Sequence, residues 1–360
     1  YINFANLPED KRKKYSSFKV LRNKTDIYAF FIEDSFTWAS EKSVVSFIIT
    51  NTWKATDSFK LLRKFMLNNF CISKIINLDS RTFKASNIPL ILFLKKEVKE
   101  KYFIKIFNSN FQYFKSIDSL KLRNDINHSF NTTSSVDEDE LIEKISLKGK
   151  KLYNFLRFSR GIKTSNDKKF IVSKADDKDH KKIFRGRNIS SYKIEWDGEY
   201  INYKPNLMRK KPGSVPYTKE FFEVNKKIVL QRIAQTLPVT IDYNKSYFLD
   251  TAIVSDYRTI TPGVSLEYIC ALLNSKLIRF WYNNKYQLAT VGIYELENIP
   301  VKYPENDNLI YKINEDVNEI FNKIKKNENF EHIIEKLDNT FYKIYSLNNN
   351  QIKIIEDYNK

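Results

Sequence analysis

Residues 226–287 read KKIVLQRIAQTLPVTIDYNKSYFLDTAIVSDYRTITPGVSLEYICALLNSKLIRFWYNNKYQ, and residues 294–301 close the segment with YELENIPV. A short β-branched run at 228–230 leads into Gln231 and Arg232. A second strand-like run at 247–254 alternates bulky and small side chains, and the dipeptide Pro262-Gly263 then marks a turn. Beyond it Leu266, Ile269, Cys270, Leu273, Leu277 and Phe280 recur at spacings of three and four, which predicts one amphipathic helix with Asn274 and Ser275 on its shoulder. Pattern alone describes a small α+β unit with its own core.

The 360 residues leave room for two domains, and 42% hydrophobic residues with 15% aromatic ones can build a core in each. A net charge of +18 points to a polyanionic partner. A membrane surface would call for a basic amphipathic helix, and no strong one stands out. The apolar run at 88–94 is far too short to span a bilayer. Two cysteines, Cys71 and Cys270, each inside an apolar pattern, read as reduced core thiols of a cytoplasmic protein. The three histidines, His128, His180 and His332, are scattered, so no metal site is expected. A nuclease-like set, Asp79 with Glu97 and Lys99, is a chance match in a chain with 61 Lys and Arg.

Along residues 1–135, a basic run at 11–14 reads as a solvated loop and an aromatic helix is expected at 26–36. The continuous apolar run 43–50 predicts a buried parallel strand. A helix at 57–70 follows, then strands at 73–78, 88–94 and 102–107, an alternation that argues for an α/β sheet. So few strands would leave an open apolar edge for another segment or chain to cover. The polar, acidic run 131–140 reads as a linker, 141–158 as a basic helix, and 204–216 as an exposed basic loop. Two helical stretches, 309–324 and 330–345, suggest a hairpin that packs on the domain or on a partner, followed by a polar tail. The expected domains are 1–135, 136–305 and 306–360.

Upstream of the opening segment lie Ser159-Arg160-Gly161-Ile162-Lys163-Thr164, then Phe170-Ile171-Val172, then FRGRNISSY at 184–192. With KIVLQRIA, ALLNSKLIRFWY and ENIPV in that order, residues 150–300 resemble the target-recognition domain of the gamma-class adenine-N6 DNA methyltransferases. These are the Taq-type enzymes and the fused type IIG restriction-modification enzymes. One departure is Ser165, where the family carries glycine. The earlier order DIYAFFIE, SVVSFIITNTWKA, LLRKFMLNNFCISKIINL and TFKASNIPLILFLKK resembles the distal half of that family's catalytic domain.

The resemblance implies a partial Rossmann-like methyltransferase sheet, an α+β target-recognition domain and C-terminal helices. It implies methyl transfer from S-adenosylmethionine to an adenine flipped out of double-stranded DNA. Tyr1 stands where the aromatic residue of the catalytic Asn/Asp-Pro-Pro-Tyr motif belongs, and Phe83 at the second base-stacking position. All seven glycines lie beyond residue 148, so residues 1–148 cannot supply the glycine turn of a nucleotide-type cofactor loop. That loop is expected upstream of residue 1, in the N-terminal part of the same enzyme or in a catalytic partner chain.

Base reading needs forked donors. Lys163, Arg185, Arg187, Asn188, Gln231 and Arg232 are the candidates, with Thr164 and Ser165 as smaller contacts, Asn274 and Lys276 as weaker ones, and Lys210 and Lys211 as phosphate contacts. A non-catalytic DNA-specificity module is the alternative reading. A basic RNA-binding protein is a third, disfavoured by the lack of signatures for the common RNA-binding modules.

Overall fold

The computed structural model describes residues 2–22, 24–79, 82–83, 88–176, 178–234, 236–286 and 290–359. The chain divides into two compact units, Tyr1–Asp139 and Glu140–Lys360, and is of mixed α/β class throughout.

The first unit holds one sheet of five strands: β1 Val44–Thr50, β2 Cys71–Asn77, β3 Pro89–Lys95, β4 Phe103–Phe107 and β5 Tyr113–Asp118. Their order is β1-β3-β2-β4-β5. The expected parallel pairing of the 43–50 strand is corrected here: β3 runs antiparallel to both β1 and β2, and only β2 and β4 pair in parallel. The helix Lys60–Asn69 returns the chain so that β1 and β2 point the same way, and β3 then fills the gap between them from the opposite direction. β1 is an edge strand, with Val44 and Ile48 exposed on one face and Ile49 buried on the other. β5 was not foreseen, because its strand YFKSID carries little apolar alternation.

The run 131–140 holds the boundary between the two units, but its first half is packed. Thr132 and Ser134 are buried; Lys54 Nζ donates to Thr132 Oγ1 at 2.7 Å, and Thr132 Oγ1 donates to Asn77 Oδ1 at 2.8 Å. Buried Lys115 is paired with Asp139 at 2.5 Å and also donates to Ser134. Burial, with the charge of Lys115 adding to it, brings the Lys54 ammonium down to a pKa of about 8. The polar residues of this segment are therefore the hydrogen-bond partners of two buried lysines. Its helix runs Val136–Leu147, and Lys150–Lys151 then forms a short pair with Pro300–Val301. The expected helix 141–158 stops at Leu147, and Gly149 then lets the chain press against the backbone of Val301, where a Cβ would meet main-chain atoms at 2.6–2.8 Å.

In the second unit, one antiparallel sheet has the order Val239–Asp242, Lys227–Gln231, Ala252–Asp256, Arg157–Arg160. Ile228, Leu230, Val239 and Ile253 share a core with the helices Leu266–Asn274 and Lys276–Tyr286. Val229, Ala252 and Val254 share another with the strands Tyr247–Phe248, His180–Phe184 and Tyr200–Asn202 of a second sheet. Burial on both faces explains why the run at 228–230 is apolar without alternation. Lys227, fully buried beside it, is balanced by Asp242 at 2.5 Å and donates to the Phe222 carbonyl at 2.7 Å.

The single helix expected over 266–280 is two. Ser275 is extended (φ −66°, ψ 149°), its hydroxyl donates to the Leu272 carbonyl at 2.7 Å, and Asp338 accepts the next free N–H, that of Lys276, at 2.9 Å. The C-terminal helices Asp307–Lys326 and Glu331–Ile344 are joined by a third, Asn349–Tyr358, where a polar tail was expected. Ile355 buries its side chain in the same core as Ile313, Val317, Leu337 and Phe341, and Asn348 caps the helix reciprocally with Gln351. Cys71 and Cys270 are free and buried.

Candidate nucleic-acid interface

Three loops meet at one end of the Lys227–Gln231 sheet around residues 248–252, and two of them bond Thr251 itself. Gln231 pairs with Ala252 at the last rung, so Arg232 and Thr251 leave the sheet together, with Arg232 N–H donating to the Thr251 carbonyl at 3.0 Å. On the other flank Arg160 pairs with Ile253, Gly161 N–H donates to the Ala252 carbonyl at 3.0 Å, and Ile162 N–H to that of Phe248 at 2.7 Å. The third loop arrives from the second sheet: Gly186 N–H donates to Thr251 Oγ1 at 2.9 Å. Both glycines are required by close approach. A Cβ on Gly161 would lie 2.3 Å from the Leu249 carbonyl oxygen, and one on Gly186 2.3 Å from that of Thr251.

The arginines beside Gly186 are held by carboxylates. Arg185 Nε and Nη2 donate to Glu199 Oε2 and Oε1 at 2.5 and 3.0 Å. Arg187, 63% exposed, places Nη2 2.6 Å and Nε 3.1 Å from Asp197 Oδ2. The bonds to Glu199 raise the pKa of Arg185. Burial works against ionising Asp197, but the bonds from Arg187 and Asn188 outweigh it and hold the carboxyl below its usual range.

Arg160 and Arg232 present the opposite case. Among the described residues neither guanidinium has a salt-bridge partner. Burial, and then the like charge of Arg160, lower the pKa of Arg232, while Asp250 works against that.

Lys163 is exposed, and its backbone pairs with Val215, so the basic loop returns beside it. Lys210 and Lys211 are exposed on that loop. Thr164 is buried and its hydroxyl bonds Asp167. Ser165 is not among the residues with positive φ, so its backbone needs no glycine. Gln231 Nε2 donates to the Ile233 carbonyl at 2.7 Å.

Other sequence candidates make contacts within the fold. Asn188 is buried and its Oδ1 accepts the Arg185 N–H at 2.7 Å, fixing the arginine turn. Asn274 clamps an edge strand: its amide accepts from Val239 N–H at 3.1 Å and donates to the Val239 carbonyl at 2.8 Å. Lys276 is paired with Glu356 at 2.6 Å. In the first unit Phe83 is 49% exposed, and Tyr1 lies outside the described residues.

Sequence reasoning passed over Arg160, Thr251, Asp197 and Glu199 as site residues. The last two stand in Trp196-Asp197-Gly198-Glu199, whose Gly198 has φ +92°. An acidic turn shortly after a basic one was the signal that could have paired them.

Residues 181–301 match the family of TaqI-like C-terminal specificity domains, and residues 1–83 match the Eco57I restriction-modification methylases. Over those two stretches the chain resembles the Eco57I- and TaqI-like restriction-modification methylases. It is 28% identical over 232 residues to the type II restriction enzyme and methyltransferase RM.Eco57I of Escherichia coli, a match covering 60% of this chain and 20% of that protein. The type IIL restriction-modification enzyme MmeI, solved in complex with DNA, shares its fold at a TM-score of 0.61 and 12% identity, over 98% of this chain and 54% of that one. DrdV, solved as a DNA complex, does so at 0.52 and 12%, over 88% and 42%. The chain thus spans a fifth of the curated relative and about half of these solved chains. Gly186, Arg232 and Thr251 all fall inside the TaqI-like specificity region.

Proposed function

We propose that this chain carries the DNA-recognition portion of a site-specific adenine-N6 DNA methyltransferase of a restriction-modification system. The observation that carries the reading is the convergence of Arg160–Lys163, Arg185–Arg187 and Gln231–Arg232 on residues 248–252, at one sheet end, with 248–252 inside the region that matches a specificity domain. Forked donors gathered on a rigid sheet end suit the edges of bases, and the exposed lysines of the 204–216 loop suit phosphates. MmeI and DrdV, which share the fold, were solved with DNA, in keeping with a duplex as partner.

Methylating an exocyclic amine rests chiefly on positioning, and a flipped base gains from aromatic stacking. Phe83, exposed in the methylase-like unit, is suited to one stacking face. S-adenosylmethionine is the methyl donor the family implies. Residues 1–148 contain no glycine for its loop, so they do not fit the group by themselves. The same glycine-free stretch favours a second reading, a specificity module whose partner chain holds the cofactor.

Duplex binding across a salt series tests the nucleic-acid reading. With on the order of five phosphate contacts, the log–log slope is expected near roughly −4 to −5. A flat response between low and moderate salt would remove that reading. Calorimetry tests the cofactor argument: this chain alone is expected not to bind S-adenosylmethionine tightly, and micromolar binding would overturn the expectation. Methylation assays with and without a second chain separate the enzyme from the module.

A further inference from the structure

The carboxylates of Asp197 and Glu199 occupy the two arginines best placed to read bases. A guanidinium has five N–H donors in a fixed fork. Glu199 takes Arg185 from the side, through Nε and one hydrogen of Nη2. Asp197 takes Arg187 through the same two nitrogens. The far edge of each fork, Nη1 with the remaining Nη2 hydrogen, is the pair that matches the O6 and N7 of a guanine. The grip fixes the plane of each guanidinium and leaves that far edge as its remaining donor set.

The carboxylates themselves are firmly placed. The Glu199 carbonyl accepts from Ile183 N–H at 3.2 Å, tying the acidic turn to the strand that ends just before Arg185, and from Trp196 Nε1 at 2.8 Å, closing the turn on itself. Glu195 N–H donates to the Asn188 carbonyl at 2.9 Å, tying it to the end of the arginine turn as well. Gly198 lets the turn close between Asp197 and Glu199.

We infer that Glu199 and Asp197 are positioning residues for sequence recognition. They aim the forks of Arg185 and Arg187 at guanine edges and, by their negative charge, hold down binding to unrelated duplex. This rests on the DNA-recognition reading above. A purely structural ion pair predicts a different mutant. Losing it would lower stability and weaken every duplex alike. Losing an aiming device lowers selectivity while the removed negative charge raises affinity for random DNA.

The experiment selects bound duplexes from a randomised library with the full chain and with Glu199→Gln, Asp197→Asn and Arg185→Lys, then sequences them. Affinity for one fixed random duplex and the melting temperature are measured alongside. Glu199→Gln is expected to lose base preference at one or two positions on the order of ten-fold, with random-duplex affinity equal or higher. Arg185→Lys, which keeps the charge but lacks the fork, is expected to lose the same positions. If Glu199→Gln and Asp197→Asn select the wild-type sequence with wild-type strength, the positioning role is overturned and DNA recognition stands. If the wild-type chain selects no sequence, the DNA-recognition reading itself fails. Should Glu199→Gln fold poorly, Asp197→Asn, at the more exposed pair, decides the matter through the same readouts.

Discussion

The carbonyl oxygen of Thr251 lies 2.3 Å from the place a Cβ on Gly186 would take, while the Thr251 hydroxyl accepts the Gly186 N–H at 2.9 Å. The arginine turn is thus pressed onto the sheet end by a contact that only glycine permits. Gly186→Ala has no flexible side chain to push aside, because the obstacle is backbone. We expect it to cost about 1–3 kcal/mol, in the range of overpacked sites, and to displace Arg185 and Arg187 together. Thermal unfolding and duplex selectivity should both fall, and an unchanged melting temperature would show that the turn is free to lift away.

Arg160 and Arg232 should behave in the opposite sense. Both leave the sheet at the same end without a salt-bridge partner among the described residues, and the like charge of Arg160 adds to burial in lowering the pKa of Arg232 against the pull of Asp250, so an anion bound there would relieve the repulsion. Arg160→Ala is expected to weaken duplex binding while leaving the melting temperature equal or higher. The check is melting with and without a saturating duplex: the mutant should gain less from DNA than the wild type does. An equal gain would remove Arg160 from the interface.

Lys210 and Lys211 sit exposed on the loop whose return pairs with the Lys163 backbone. A lysine ammonium against phosphate carries no sequence information. Each alanine substitution should weaken cognate and random duplexes in the same proportion and lower the salt slope by about one. A selective loss on the cognate duplex would make either lysine a base reader.

What could be read in advance, and what could not, follows from how far apart the partners lie. The run at 228–230 declared a buried strand because both of its faces are covered, and Pro262-Gly263 declared a turn, with Gly263 at φ +82°. The helix break at Ser275 was hidden. Apolar spacing continues across it from Leu273 to Leu277, and Asp338, which accepts the Lys276 N–H, comes from a distant helix. Thr132 and Ser134 looked like linker because the buried lysines they serve stand on other elements. Asn274 carried the donor–acceptor pair of a base reader, but an edge strand uses the same pair. The glycine-flanking arginines were legible as residues; the carboxylates that aim them were not, because pairing needs the register of two strands.

That same Asp338 gives a prediction about pH. It is 2% exposed; one oxygen accepts the Lys276 N–H at 2.9 Å, and the other is buried with no hydrogen-bond partner among the described residues. Burial raises its pKa to about 6, with the bond from Lys276 only partly opposing it. In the unfolded chain an aspartate titrates near about 4. Between those values the folded state holds a proton that the unfolded state has released. Stability therefore declines as pH rises from about 4 through about 6 and stays lower above that. A difference of about two pKa units corresponds to roughly 3 kcal/mol at neutral pH. Asp338→Asn keeps an oxygen for the Lys276 N–H and removes the charge. We expect it to raise the melting temperature at pH 7.5, to change it little at pH 4.5, and to flatten the profile between. Paired melting curves of wild type and mutant across that range are the measurement. If the two profiles run parallel, Asp338 is ionised at no cost in the folded chain, and an unseen partner such as an ordered water must satisfy its second oxygen.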